Sequence, residues 1–250
     1  TCYSLNEKDD AYTDVLKQRI KNFVSVKGLS YAELAEKIHD DNIDVLVDLM
    51  GHSANNVLPI FAYKPAPLQI SGIGYMATTG IKAMDYFITD AITDPPGEHE
   101  KYFSEKLLYL PCQFSYATRG DVKTPTGAPC IQNKFVTFGT ICRYQKISNE
   151  VLQVWKEILD RVPNSKLIMR AQEFASISTM DNAYDRMKAI GFNMDRVTFL
   201  PAVFNYLDEL LNLDLVLDTY PYVGGATTID AIYMGVPVLT FYGERRSTRF

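Results

Sequence analysis

The chain has 250 residues, 47% hydrophobic and 22% charged, an ordinary globular composition and enough length for two α/β domains. Its net charge of −5 offers no basic face of the kind nucleic-acid binders show, so no nucleic-acid partner is expected. The four cysteines (Cys2, Cys112, Cys130, Cys142) form no Cys-x-x-Cys pair, and the three histidines (His39, His52, His99) do not cluster with them, so no metal is expected.

Sparse, scattered cysteines fit a reducing compartment. The opening Thr1-Cys2-Tyr3-Ser4-Leu5 is not a signal peptide, and no apolar run approaches the ~20 residues of a membrane span. A cytoplasmic protein with no membrane partner is the expectation.

Along the chain, short β-branched runs alternate with amphipathic stretches. The pattern predicts a helix over Tyr31–Asp41, a strand over Asp44–Leu49 and a short helix near Asn56–Tyr63. Strands over Leu68–Gly74, Tyr86–Thr89 and Lys106–Leu110 follow. Val45-Leu46-Val47 and Leu107-Leu108-Tyr109-Leu110 are nearly continuous in apolar residues, as in strands covered on both faces. From Tyr116 to Lys134 no apolar period survives, and Thr118-Arg119-Gly120-Asp121, Pro125, Gly127 and Pro129 mark a connection. The expected division is therefore a first domain over 1–118, a linker over 119–134 and a second domain over 135–250.

In the second half Phe135–Ile141 reads as a strand. Ser148 can N-cap a helix with Val151, Leu152, Trp155 and Leu159 on its apolar face. Next come a strand over Lys166–Met169, a helix over Met180–Ala189 ending before Gly191, and a strand over Arg196–Leu200. A helix over Tyr206–Leu211, a strand over Asp214–Leu217, a helix over Thr228–Met234 and a strand over Val236–Phe241 complete the series. Strand–helix alternation at this spacing implies parallel sheets with helices on both faces.

One turn carries chemistry. The buried run Leu215-Val216-Leu217 ends at Asp218 and leads to Gly224-Gly225-Ala226-Thr227-Thr228. In open α/β sheets, ligands bind outside the carboxyl ends of strands. Glycines let backbone approach a ligand, and a helix starting at the threonines would favour an anion such as a diphosphate. A plain capped helix reads the same way, since Thr227-x-x-Asp230 has capping-box spacing. No Gly-Lys-Ser/Thr follows, and Gly72-Ile73-Gly74 with Gly80 does not make a dinucleotide fingerprint.

The turn belongs to an ordered set. It follows Asp48-Leu49-Met50-Gly51-His52, Lys64-Pro65-Ala66-Pro67, Gly74-Tyr75-Met76-Ala77-Thr78-Thr79-Gly80, Met84-Asp85-Tyr86-Phe87-Ile88-Thr89-Asp90, Thr93-Asp94-Pro95-Pro96, Gln145-Lys146-Ile147-Ser148 and Arg161-Val162-Pro163-Asn164. Together these resemble the catalytic region of the O-GlcNAc transferase/SPINDLY family of glycosyltransferases over essentially the whole chain. The resemblance implies a glycosyltransferase B fold, two Rossmann-like parallel-sheet domains facing a cleft. It also implies inverting, metal-independent transfer of a sugar, first GlcNAc from UDP-GlcNAc, to protein Ser or Thr. Protein O-fucosylation from GDP-fucose, protein N-glucosylation and non-catalytic nucleotide-sugar binding are the alternatives. The implied partners are a nucleotide-sugar donor, a protein acceptor and tetratricopeptide repeats outside this chain. The family pattern extends beyond both ends, so the chain is expected to be a fragment.

The resemblance also assigns residues. Lys146 matches a lysine on the donor diphosphate, with Arg143 a second positive charge beside it. Thr227, Thr228 and Gly225 match the diphosphate turn, and Asp230 an acid on the ribose hydroxyls. His52 matches a histidine near sugar and acceptor, and Asp48, four residues earlier, is a candidate to orient it. Thr78, Thr79 and Gly80 match a sugar-contacting loop. Ala226, Met76 and Val57 depart from common family residues.

Overall fold

Three hydrophobic cores organise the described residues, one in the first part of the chain and two in the second. The computed structural model describes residues 1–6, 8–114, 116–117 and 122–250. These divide into units Thr1–Phe114 and Ser115–Phe250.

The first unit opens with a strand–helix–strand crossover that the sequence pattern does not predict: β1 (Cys2–Ser4), α1 (Ala11–Arg19) and β2 (Phe23–Ser25), with β1 and β2 paired in parallel. α2 (Tyr31–Asp40) starts on a capping box, in which the Ser30 hydroxyl accepts from the Glu33 amide and Glu33 accepts from the Ser30 amide. Its Leu34, Ala35 and Ile38 face the core. β3 (Val45–Asp48), α3 (Pro59–Ala62), β4 (Leu68–Ser71), β5 (Tyr86–Thr89) and β6 (Lys106–Tyr109) follow, and the four strands form a parallel sheet in the order β3-β4-β5-β6. β4 stops at Ser71, short of the expected Gly74, although the Gly72 amide still donates to the Asp48 carbonyl at 3.2 Å. Val26, Leu34, Ile38, Leu46, Leu58 and Phe61 fill this unit's core.

The second unit contains α4 (Cys130–Asn133), β7 (Thr137–Ile141), α5 (Asn149–Arg161), β8 (Lys166–Ala171), α6 (Ile177–Ile190) and β9 (Val197–Pro201). After these come α7 (Leu207–Leu210), β10 (Leu215–Leu217), α8 (Ala226–Tyr233) and β11 (Val238–Leu239). All five strands are parallel, in the order β11-β10-β7-β8-β9. Alternate side chains enter two cores, one on each face. Leu167, Met169 and Leu217 pack with Trp155, Leu152 and Met187 of α5 and α6. Val216 and Ile168 pack with Leu210 of α7, Ala231 of α8 and Met234 just after it.

The expected linker is corrected in part. Thr118-Arg119-Gly120-Asp121 lie outside the described residues. Of the remainder, Val122 packs on the second core, and the Lys123 and Cys130 amides donate to Asp208 and Asp214 at 3.1 and 2.8 Å. Asp214 also accepts from the Thr137 amide, which ties this stretch to the start of β7. Among the described residues no helix is long and apolar enough to cross a membrane.

Candidate functional site

The strand order of the second unit locates its site. From β7 the chain winds outward through β8 to β9, then returns to lay β10 and β11 on the other side of β7. The order reverses between β7 and β10, and a crevice opens outside the carboxyl ends of two such strands. Cys142, Arg143 and Lys146 follow β7, while Asp218 and the glycine turn follow β10.

Lys146 ends a one-turn 3-10 helix, Tyr144–Lys146, and is half-buried. Its ammonium stands 3.7 Å from the centre of the Tyr222 ring. Burial lowers its pKa; the Cys142 thiol and the Asp218 carboxylate beside it oppose that shift, and Arg143 adds to it. The turn carrying Lys146 is anchored by Glu173, which accepts from the Tyr144 amide at 3.2 Å. Arg143 is exposed and sits 3.6 Å from the other Glu173 oxygen. Burial pushes the Cys142 thiol up to about 11, so it stays protonated and is a poor nucleophile.

The glycine turn is built around Asp218. One carboxylate oxygen accepts from the Thr219 and Gly224 amides, both at 2.8 Å, and the other from the Thr240 hydroxyl at 2.9 Å. A Cβ on Gly224 would lie 2.3 Å from the Thr228 hydroxyl oxygen and 3.3 Å from that of Thr227, so only glycine admits both hydroxyls beside this backbone. α8 begins at Ala226 with Gly225 as its N-cap and no side-chain cap. The capping box suggested by Thr227-x-x-Asp230 does not form, and the helix start keeps open donors for an anion.

Asp230 is fully buried, one carboxylate oxygen accepting from Tyr116 Oη at 2.7 Å and the other from Tyr206 Oη, two tyrosines of its own unit. A cavity of about 280 Å³ lies next to Thr227, lined by Cys142, Arg143, Arg170, Ala202, Val203 and Phe204 among others. Phe204 is 92% exposed, and the sequence pattern does not single it out. Asp218 and Tyr222 were equally missed; an acid directly after a buried apolar strand is the signal that could have found Asp218.

The first unit gathers His52 with the loop after β4. Asp48, at the end of β3, is 4% exposed. Its carboxylate accepts from the Met50 and Gly51 amides and from the Ser71 hydroxyl at 2.6 Å. It therefore shapes the turn that carries His52. Gly74 packs against the same turn so closely that a Cβ would stand 1.7 Å from the Leu49 carbonyl oxygen. The exposed His52 ring meets Tyr75 edge to face, centroids 5.4 Å apart, and its Nε2 lies 3.1 Å from the Thr78 carbonyl oxygen.

Thr78 and Thr79 are tied to the start of β6. Both hydroxyls donate to Glu105, which accepts the Thr79 amide as well at 2.7 Å. The Thr78 hydroxyl oxygen accepts from the Ser104 and Gly80 amides, and that of Thr79 from the Ile81 amide. The side chains thus hold the loop, and exposed Gly80 offers backbone to a ligand. Among the described residues no group of three His, Cys, Asp or Glu could hold a metal ion.

The family described as Glycosyl transferase family 41 matches residues 1–124 and 126–250. The chain belongs to this family. Two Arabidopsis thaliana proteins are similar to this family 41 chain. Over 249 residues it is 36% identical to the Probable UDP-N-acetylglucosamine–peptide N-acetylglucosaminyltransferase SPINDLY, covering 97% of this chain and 27% of that protein. It is 30% identical to the one named SEC, covering 99% and 26%. The chain thus spans about a quarter of the length of these relatives. Among solved structures, a Thermobaculum terrenum O-GlcNAc transferase mutant matches with TM-score 0.92 at 33% identity, over 99% of this chain and 47% of that one. This gives the chain the glycosyltransferase B fold, with two Rossmann-like parallel-sheet units. Anabaena HepE in complex with UDP, at TM-score 0.56 and 13% identity, shares the fold alone, over 92% of this chain and 70% of that one.

Proposed function

We propose that this family 41 chain carries the donor site of a glycosyltransferase that moves a sugar from a nucleoside diphosphate to a protein Ser or Thr hydroxyl. One observation carries the reading: a half-buried lysine, two threonines beside a glycine turn and an uncapped helix start gather at the switch point of one sheet. The relatives' names favour UDP-GlcNAc as donor.

In the proposed reaction the acceptor oxygen bonds to the anomeric carbon as the bond to the diphosphate breaks, and the configuration inverts. Negative charge then grows on the departing phosphate. The Lys146 ammonium, the Thr227 and Thr228 hydroxyls and the first amides of α8 offset it, a role a metal fills elsewhere. Arg143 adds longer-range attraction. The 280 Å³ cavity beside Thr227 takes the nucleoside, with Phe204 at its rim. His52 acts in the same reaction on the sugar and acceptor side. A cytoplasmic location and a protein partner follow from this reading.

A thermal-shift series with UDP, GDP, UDP-GlcNAc, UDP-glucose and GDP-fucose tests it. UDP and UDP-GlcNAc should raise Tm increasingly with concentration, by about 2.7 kcal/mol of stabilisation at 100 times Kd. No shift with any of the five rejects the donor site; a shift with GDP ligands alone moves the reading to fucose.

A further inference from the structure

We propose that Glu105 is a positioning residue: through the Thr78–Gly80 turn it holds the His52 ring with its proton on Nε2, which leaves Nδ1 as the nitrogen able to take the acceptor's proton. This rests on the proposed function only for the word acceptor; the geometry stands without it.

Glu105 is 5% exposed and immediately precedes β6. A buried carboxylate is costly unless donors surround it. Three of its hydrogen-bond donors come from the turn: the Thr78 hydroxyl at 2.7 Å, the Thr79 amide at 2.7 Å and the Thr79 hydroxyl. Two neighbouring residues are therefore clamped by one side chain. The amides of Ser104 and Gly80, donating to the Thr78 hydroxyl oxygen at 3.1 and 3.2 Å, close the turn further. With both sides of residue 78 fixed, its carbonyl has one direction, and that direction meets His52 Nε2 at 3.1 Å.

A carbonyl oxygen only accepts, so Nε2 must carry hydrogen whenever this bond exists. In the neutral ring the lone pair then lies on Nδ1. Tyr75 packs edge to face against the ring and limits its rotation. A loop held only for stability would need the threonine clamp but not the contact from its carbonyl to an exposed imidazole.

The test reads the tautomer directly. The protein holds three histidines, so ¹⁵N-histidine labelling of the intact protein, with His39→Gln and His52→Gln for assignment, resolves His52 by its nitrogen shifts. Wild type should show a single Nε2–H tautomer. Glu105→Ala should show averaged shifts of two exchanging tautomers, and Glu105→Gln, which still accepts from the Thr79 amide, should return toward wild type. Turnover in Glu105→Ala should fall about 10- to 100-fold with donor KM little changed. If Glu105→Ala does not fold, Thr78→Val removes only the hydroxyl reaching Glu105 and should broaden the tautomer signal partway. A wild-type proton on Nδ1, or a folded Glu105→Ala or Thr78→Val with an unaltered tautomer, overturns the proposal. Because this readout needs no sugar transfer, an enzyme inert toward every donor would reject the proposed function and leave the tautomer result standing.

Discussion

On the proposed function, Lys146 joins two requirements that oppose each other: burial, which discourages its charge, and a diphosphate, which demands it. Burial holds its pKa below the ordinary lysine value, so the ammonium is lost at a lower pH than a surface lysine would lose it. Affinity for UDP should therefore weaken as pH rises toward that value, and binding should be accompanied by proton uptake there, because the diphosphate restores the charged form. Calorimetry in buffers of different ionisation enthalpy measures this uptake; none at any alkaline pH would count against the contact. Linkage carries the opposite sign for the empty protein, whose folded state gives up this proton more readily than the unfolded chain. The lysine costs stability at neutral pH, and the cost shrinks as pH rises through the folded value. Lys146→Ala should lower kcat about 100- to 1000-fold, in the range seen on losing one transition-state donor.

Two elements end alike. β3 closes on Asp48 and β10 is followed directly by Asp218, and each carboxylate gathers backbone amides of the turn that follows. Asp48→Ala leaves the Met50 and Gly51 amides and the buried Ser71 hydroxyl without their acceptor. Urea denaturation should show a loss of about 2–4 kcal/mol in the first unit, several times the effect of a surface change. The elements themselves were legible wherever an apolar face repeated: α5 begins at the Ser148 cap and buries Val151, Leu152, Trp155 and Leu159 as its spacing says. β1, α1 and β2 were not, because strands of three residues are too short to show a period and α1 buries only Thr13. The site was legible by residue type more than by role. Lys146 follows β7 and stacks on Tyr222, in the loop after β10 that leads to Thr227 and Thr228. Thr78, Thr79, Asp48 and Asp230 have the right chemistry, but their oxygens are engaged within the fold by partners far away in sequence, such as Glu105 and Tyr116. No local pattern encodes such pairings.

At the scale of the molecule, several carboxylates hold the first unit's loops. For Glu105 and Asp90, burial raises the pKa, but hydrogen bonds outweigh it: those from Thr79 and Thr78 on Glu105, and those from the Thr93 and Gln113 amides on Asp90. Both groups lie below their usual range. Groups depressed on folding stabilise the protein above their unfolded values of about 4, and the contribution is lost as pH falls through the lower folded ones. Urea midpoints measured from pH 7 to pH 3 should therefore stay level down to about pH 5 and fall below pH 4. In Glu105→Gln the fall should be shallower; an identical slope would mean that Glu105 does not contribute.

The contact between Lys146 and Tyr222 bears on donor binding, because it rests the ammonium on an aromatic face. Such a contact is worth about 0.5–2 kcal/mol, so the ring competes with the incoming phosphate for the same cation. Tyr222 would then act as a placeholder: it keeps the charge aimed during the idle part of the cycle and surrenders it on loading. If the proposed reaction holds, Tyr222→Leu should tighten UDP and slow its departure, which stopped-flow displacement would show as a lower off-rate. In the proposed reaction, such a contact would trade donor affinity for faster turnover.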